Sequence, residues 1–204
     1  MQNIRNYFKF SLFFVMLMFL AGCAQNITVQ TPTHSPETGK SQLSLIPPAN
    51  IYLKKVQDVR APGRAEGSRE AAFGVPMGNV TFDPPAAVAV QDLIAAELIK
   101  AGHSILDKEQ KVNVAARVLA FEVGTDVTLL YWDIIGKTKI EVSVIGLSGN
   151  EVKKVFSSSC EDRTYVWPSG KLIKKVMQSC MSYFAARMRN DIEIAQAIKS
   201  MTEK

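Results

Sequence analysis

Residues 138–158 read TKIEVSVIGLSGNEVKKVFSS. The first half of this stretch alternates isoleucine and valine with lysine, glutamate and serine, which predicts a strand with one buried and one solvated face. The dipeptide Gly149-Asn150 then makes a tight turn into a second strand, so we predict a β-hairpin over 138–158. One solvated face per strand is typical of an antiparallel sheet.

Two further stretches predict strands upstream of this hairpin. The segment VNVAARVLAF, 112–121, places alternate valines and alanines, ending at Ala120, on one face and Phe121 on the other. The segment NIYLKKVQDVR, 50–60, alternates at first and then loses the pattern, which predicts a strand with a bulge or an early end.

Helical periodicity marks two long segments. The first begins after Asp83-Pro84, a capping residue followed by proline, and stops at Gly102. The second follows Ser169, and its apolar residues recur on one stripe. We therefore predict an α+β fold: an antiparallel sheet of about four to five strands with two main helices packed on one face.

The N-terminus, MQNIRNYFKFSLFFVMLMFLAG, has basic residues followed by an apolar run of about ten residues. That run is too short to cross a bilayer as a helix, which needs roughly twenty residues. We predict that residues 1–22 are a signal peptide.

The sequence Leu20-Ala21-Gly22-Cys23 resembles the lipobox of bacterial lipoproteins. The resemblance implies cleavage between Gly22 and Cys23, with a diacylglycerol on the Cys23 thiol and an acyl chain on its new amino group. Two or more acyl chains give stable membrane anchoring. Ala24, where an aspartate would resemble an inner-membrane retention signal, implies the outer membrane, with the protein facing the periplasm.

The residues after the cysteine are rich in Thr, Ser, Pro and Gln and poor in large apolar groups. Such a composition does not bury enough surface to offset the entropy of ordering. We predict a flexible tether over 23–48, in which His34 is solvated, and a single α+β periplasmic domain over 49–204.

The charge balance argues against a nucleic-acid partner. The full chain carries a net charge of +5, and residues 1–22 contain two basic and no acidic residues, which leaves +3. Nucleic-acid binding calls for a basic stripe on one face.

Cys160 and Cys180 are the two cysteines beyond Cys23. In an oxidising compartment such as the periplasm, an even pair indicates a disulfide bond. Two buried free thiols are the alternative.

The residue inventory does not favour an enzyme. His103 is the one candidate base for a hydrolase, and we expect it to be a surface histidine or a cap just past a helix C-terminus. The sequence contains no G-x-S-x-G motif, no P-loop and no histidine spacing typical of a metal site. We predict no catalytic residue, no metal and no cofactor apart from the covalent lipid on Cys23.

Two segments are candidates for partner contact. The glycine-rich segment 61–82 contains Arg64 and Arg69 and follows Arg60, and long ordered loops are often functional, although a flexible surface loop fits equally well. The cluster Tyr131-Trp132, within a dense apolar stretch, predicts either a strand edge with a core plug or a sticky surface for a partner or the membrane.

Several stretches together resemble the small bacterial lipoproteins of the YajG type and, more loosely, the auxiliary lipoproteins of envelope transport systems. They are NIYLKKVQDVR with its ending Asp58-Val59-Arg60, FGVPMGNV, and AVQDLIAAELIKAGHSI. The resemblance implies an antiparallel sheet with two packed helices and no catalytic residue. The cysteine pair is a departure from it.

The expected function is that of an accessory or assembly factor for an envelope complex, with a membrane contact through the lipid anchor and an envelope protein as partner. The alternative is a periplasmic carrier of an apolar ligand such as a lipid. A third is a structural lipoprotein that supports the cell wall.

Overall fold

The structure is a computed structural model that describes residues 25–61, 66–71 and 75–203. None of the helices within these residues is long and apolar enough to cross a membrane. In chain order the elements are β1 (Ile27–Gln30), a 3-10 turn (Leu43–Leu45), β2 (Asn50–Leu53), β3 (Gln57–Asp58), β4 (Gly67–Ala71), β5 (Val75–Asp83), α1 (Ala86–Lys100), β6 (Ser104–Leu106), β7 (Val112–Val127), β8 (Trp132–Gly146), β9 (Glu151–Thr164), α2 (Gly170–Arg189) and α3 (Ile192–Thr202).

Strand β7 organises a nine-stranded mixed sheet. On one edge it pairs antiparallel with β8, which pairs antiparallel with β9. Along its other edge β2, β3 and β4 follow one another, each parallel to β7. Beyond them, β6 pairs with β2, and β5 pairs with β4 and with β1.

The predicted sheet of four to five antiparallel strands with two helices is therefore wrong: the described residues form nine strands, parallel and antiparallel, with three helices. The added strands are short and pair with segments far away in sequence. The segment 61–82, predicted as a loop, contributes β4 and most of β5. The backbone groups along the edge of β7 need hydrogen-bonding partners, and these short strands supply them. The alternation of side chains within a short segment does not show which distant strand the segment pairs with.

The segment predicted as a flexible tether also differs in the structure. Residues 27–30 pair with β5 from Val80 to Asp83, and Leu43 is fully buried in the core. Within the described residues, the chain from Gln25 onward thus packs against the domain.

All three helices pack on one face of the sheet, since α1 contacts β7 and β6, and both α2 and α3 contact β8 and β9. The packing is close. A Cβ atom added at Gly136 of β8 would lie 3.0 Å from both Met177 and Val176 of α2. The opposite face of β7, β8 and β9 is solvated.

A β-bulge in β7 reverses the orientation that the sequence predicted for the side chains after it. The register to β8 shifts between Val118 and Ala120, so Phe121 turns inward and is fully buried. A one-residue slip of this kind moves every later side chain to the other face of the sheet.

Local signals predicted the hairpin and the second helix. Strands β8 and β9 contain the predicted hairpin, and Gly149 at its turn has φ of +81°. The Ser169 hydroxyl caps α2 by accepting from the Leu172 amide. The first helix begins at Ala86, after Pro85, rather than directly behind Asp83.

Candidate interaction surfaces

Aromatic side chains collect at one end of the sheet, where β7 ends, β8 begins and β9 ends. Tyr131 meets Tyr165 edge to face with ring centres 6.2 Å apart, and Trp132 meets Trp167 at 5.9 Å. We call this surface the aromatic end, and it comprises Leu129, Leu130, Tyr131, Trp132, Tyr165, Val166 and Trp167.

The β7–β8 hairpin presents two leucines at the tip of the aromatic end. Leu129 and Leu130 are 86% and 77% exposed. The Thr128 hydroxyl accepts from the backbone amides of Leu130 and Tyr131, and the Thr128 amide donates to Tyr131 O at 2.9 Å. The turn is thus held in one shape, with leucines where turns usually carry Gly, Asn, Asp, Pro or Ser.

An arginine braces this end. The Arg163 guanidinium lies 3.8 Å from the centre of the Tyr131 ring and donates to both carboxylate oxygens of Asp133, at 2.7 and 3.0 Å. These hydrogen bonds hold the pKa of Asp133 below its usual range. The aromatic end therefore carries a fixed cation that is already neutralised by a neighbour.

Arg69 ties the beginning of the described chain to the aromatic end. Its side chain is buried and stacks over the Trp167 ring at 5.6 Å. It donates to the backbone oxygens of Gln25 and Met77. The Asn26 side chain accepts from the backbone of β5 close by.

Arg60, a second predicted contact residue, is used inside the fold. It donates to both carboxylate oxygens of Asp58, to Glu66 at 2.8 Å and to Phe121 O at 2.7 Å. Glu66 in turn accepts from the Phe82 amide. These hydrogen bonds lower the pKa of Asp58 and raise that of Arg60. The Asp58-Val59-Arg60 ending thus has a structural role: it clamps β3, β5 and β7 to Glu66, the residue before β4.

The outer edge of β9 is a second candidate surface. Within the described part of the chain, β9 pairs with β8 alone. Ser157 O accepts from Arg187 of α2 at 2.8 Å, which places that carbonyl on the open edge. A groove of about 540 Å³ lies between β9 and the α2–α3 turn, and Val155 and Ile192 are exposed along it.

Both histidine side chains are buried, so the prediction of a solvated His34 is wrong, and so is the surface alternative for His103. His103 lies just past the end of α1, where its amide donates to Leu98 O. His34 Nε2 lies 2.5 Å from Glu97 Oε1 of α1, and both side chains are almost fully covered. His103 Nδ1 accepts from the Ala49 amide, and Nε2 lies 3.1 Å from Leu43 O. Burial lowers the pKa of His103. Each ring holds the N-terminal segment to the domain.

The predicted disulfide between Cys160 and Cys180 is present, with the two Cα atoms 5.5 Å apart. It joins β9 to α2, so the helix is covalently fixed to the edge strand.

Two other features carry no evident chemistry. An open groove of about 420 Å³ on the solvated face is lined by residues of β4, β5, β7 and β8. Among the residues described, no cluster of three or more His, Cys, Asp or Glu side chains is placed to hold a metal ion.

The structure brings three of the seven predicted site residues outside the disulfide together at the aromatic end: Tyr131, Trp132 and Arg69. Arg60 lies in the clamp instead. Gly22, Cys23 and Arg64 lie outside the described residues. The residues that sequence reasoning missed are Tyr165 and Trp167, although the aromatics in TYVWPSG were a visible signal.

The fold has counterparts among solved structures. Protein XCC0632 from Xanthomonas campestris is similar, with a TM-score of 0.60 and 9% identity over 86% of this chain and 99% of that one. Lipoprotein GNA1162 from Neisseria meningitidis matches more weakly (TM-score 0.33, 15% identity, 61% and 90% covered), as does a minor lipoprotein from Acinetobacter baumannii (TM-score 0.38, 9% identity, 60% and 91% covered). No curated protein sequence matches the chain.

The sequence itself matches a family. Residues 55–199 fit the Lipoprotein_16 family, described as uncharacterized lipoprotein. Membership indicates a membrane-anchored location in the envelope. The chain belongs to this lipoprotein family.

Proposed function

We propose that this protein is a non-catalytic accessory or assembly factor of an envelope complex, tethered by lipid on Cys23 to the outer membrane and facing the periplasm. Within its family we place it with the YajG type, on the Asp58-Val59-Arg60 ending and the stretches around it. An anchored protein meets partners in the same membrane at a raised effective concentration.

The observation that carries the proposal is the open edge of β9. An edge strand of 14 residues offers unpaired backbone groups that a strand of another protein can join. Ser157 O is on that edge, and alternate residues of a strand point their backbone groups the same way, so Val155 and Ser159 face outward too. The exposed side chains of Val155 and Ile192 supply apolar contact beside the edge.

The packing between helices and sheet favours this function over the carrier of an apolar ligand. A carrier needs an apolar cavity of roughly several hundred Å³. Instead, the inward side chains of α2, among them Met177, Met181 and Phe184, are fully buried against the sheet. Gly136 leaves no room even for a methyl group beneath α2.

Site-specific photocrosslinking in cells tests the proposal. A photoreactive amino acid at Val155 should trap one dominant envelope protein, whereas the same probe at Ile99, exposed on α1, should not. A crosslink from Ile99 alone would reject the edge. A co-extracted lipid without a protein from either position would favour the carrier.

The anchor is tested separately. The Cys23→Ser variant should remain an unprocessed precursor and leave the outer-membrane fraction. Normal processing and fractionation of that variant would refute lipid anchoring at Cys23.

A further inference from the structure

We infer that the aromatic end is a membrane-contacting surface that rests on the head-group layer of the bilayer in which Cys23 is anchored. The occupant is a phospholipid surface, and the inference rests on lipidation of Cys23 rather than on any protein partner.

The described chain begins close to the anchored cysteine. Gln25 follows Cys23 by two residues, which span at most about 7 Å. Gln25 O accepts from Arg69, whose guanidinium stacks on Trp167. The head-group region on each side of a bilayer is roughly 5–8 Å deep. A lipid on Cys23 therefore brings the aromatic end to the membrane.

The exposed rings have the chemistry of a membrane–water boundary. Tyr165 and Trp167, which are 73% and 38% exposed, are apolar in the body of the ring and polar at one point, and such side chains concentrate at membrane–water boundaries. Tyr131 and Trp132 pack edge to face against them. The four residues include both tryptophans of the chain and two of its five tyrosines.

Leu129 and Leu130 form the tip of the aromatic end. They are exposed at the centre of a turn that Thr128 holds in one shape, so they contribute no buried apolar surface to the fold. Insertion into the acyl boundary would bury them. Arg163 stays at the level of the phosphates with Asp133 as its partner.

The surface also sets an orientation. Strand β8 runs away from the aromatic end. At about 3.3 Å per residue, the turn around Leu147 after the other end of β8 lies about 45 Å from the aromatic end. The open edge of β9 then rises from the membrane along that length, where a partner in the periplasm would reach it.

The two tryptophans make the test direct. The full-length lipidated protein is placed in vesicles of phosphatidylethanolamine and phosphatidylglycerol, with or without bromine atoms on the acyl chains, and acylation of Cys23 is checked by mass spectrometry. We expect bromination to quench most of the tryptophan emission. The variant Leu129→Asp/Leu130→Asp, altered at exposed positions, should lose most of that quenching.

A matched control moves the reporter to the far end. In Trp132→Phe/Trp167→Phe/Leu147→Trp the single tryptophan lies on the exposed turn after β8, and brominated lipid should leave it unquenched. Wild-type emission insensitive to bromination would overturn the inference, because the aromatic end would then be free or would face a protein. Equal quenching of wild type and the aspartate variant, or a Cys23 without acyl chains, would overturn it as well.

Discussion

Replacing Arg60 by alanine tests whether this residue is a clamp of the fold or a contact for a partner. Its guanidinium serves four acceptor atoms, on Asp58, Glu66 and Phe121. In Arg60→Ala these groups lose the donor that joins them.

The cost follows from the burial of each acceptor. Asp58 is about one-third exposed, so its ion pair contributes only about 0.5 kcal/mol. Glu66 is 12% exposed and keeps the Phe82 amide as a donor, so losing the charged hydrogen bond costs about 2 kcal/mol. The Phe121 carbonyl, left without this donor, adds about 1–2 kcal/mol. We expect Arg60→Ala to lower the free energy of unfolding by about 4 kcal/mol.

Urea unfolding followed by far-ultraviolet circular dichroism measures this loss as a lower midpoint at an unchanged slope. The control is Arg117→Ala: Arg117 is 46% exposed and its partner Glu141 keeps Lys153 at 3.9 Å, so this loss should cost about 0.5 kcal/mol. Arg60→Lys should recover only part of the loss, since lysine lacks the planar fork. Equal midpoints for the Arg60 and Arg117 variants, together with a lost partner for Arg60→Ala alone, would refute the clamp.

Three further predictions concern the interior. Burial lowers the pKa of His103 in the folded state, so the unfolded state binds more protons below about pH 6.5. The free energy of unfolding should therefore decrease as the pH is lowered through this range. Urea midpoints at several pH values should show a smaller decrease in His103→Gln than in wild type. Gly136→Ala should destabilise by about 1–3 kcal/mol because the methyl group meets α2 at 3.0 Å, whereas Gly124→Ala, with open space around it, should be close to neutral in the same thermal melts. Denatured, unreduced protein should resist iodoacetamide at Cys160 and Cys180, and replacing both by serine should cost about 3 kcal/mol; ready labelling of both would contradict the bond.

The parts of the fold that the sequence predicts are those decided by neighbouring residues. The turn at Gly149, the alternation through β8 and the cap at Ser169 are local, and all three appear in the structure. The parallel strands along β7 are not local. β3 has two residues, and its pairing to β7 depends on a register set sixty residues away at Arg117 and Val118.

The candidate surfaces divide in the same way. The apolar residues around Tyr131 and Trp132 are visible in the sequence. Their neighbours Tyr165 and Trp167 lie more than thirty residues later, just after the last residue of β9. In the sequence His34 looks like a linker residue because the segment around it is polar. Only the fold shows that it meets Glu97 on a helix more than sixty positions later.

Binding of an envelope partner at the open edge of β9 is tested most directly in cells. The full-length lipidated protein is crosslinked in place, extracted with detergent and analysed by quantitative mass spectrometry. Three forms are compared: wild type, Ser159→Ala and Ser159→Pro, the last of which removes an outward-facing amide that β8 does not use.

We expect one dominant envelope protein in nearly equal amount with wild type and Ser159→Ala, and its loss with Ser159→Pro. Equal recovery of that protein with Ser159→Pro, or no protein partner but a co-extracted apolar lipid with wild type, would refute partner binding at the open edge of β9.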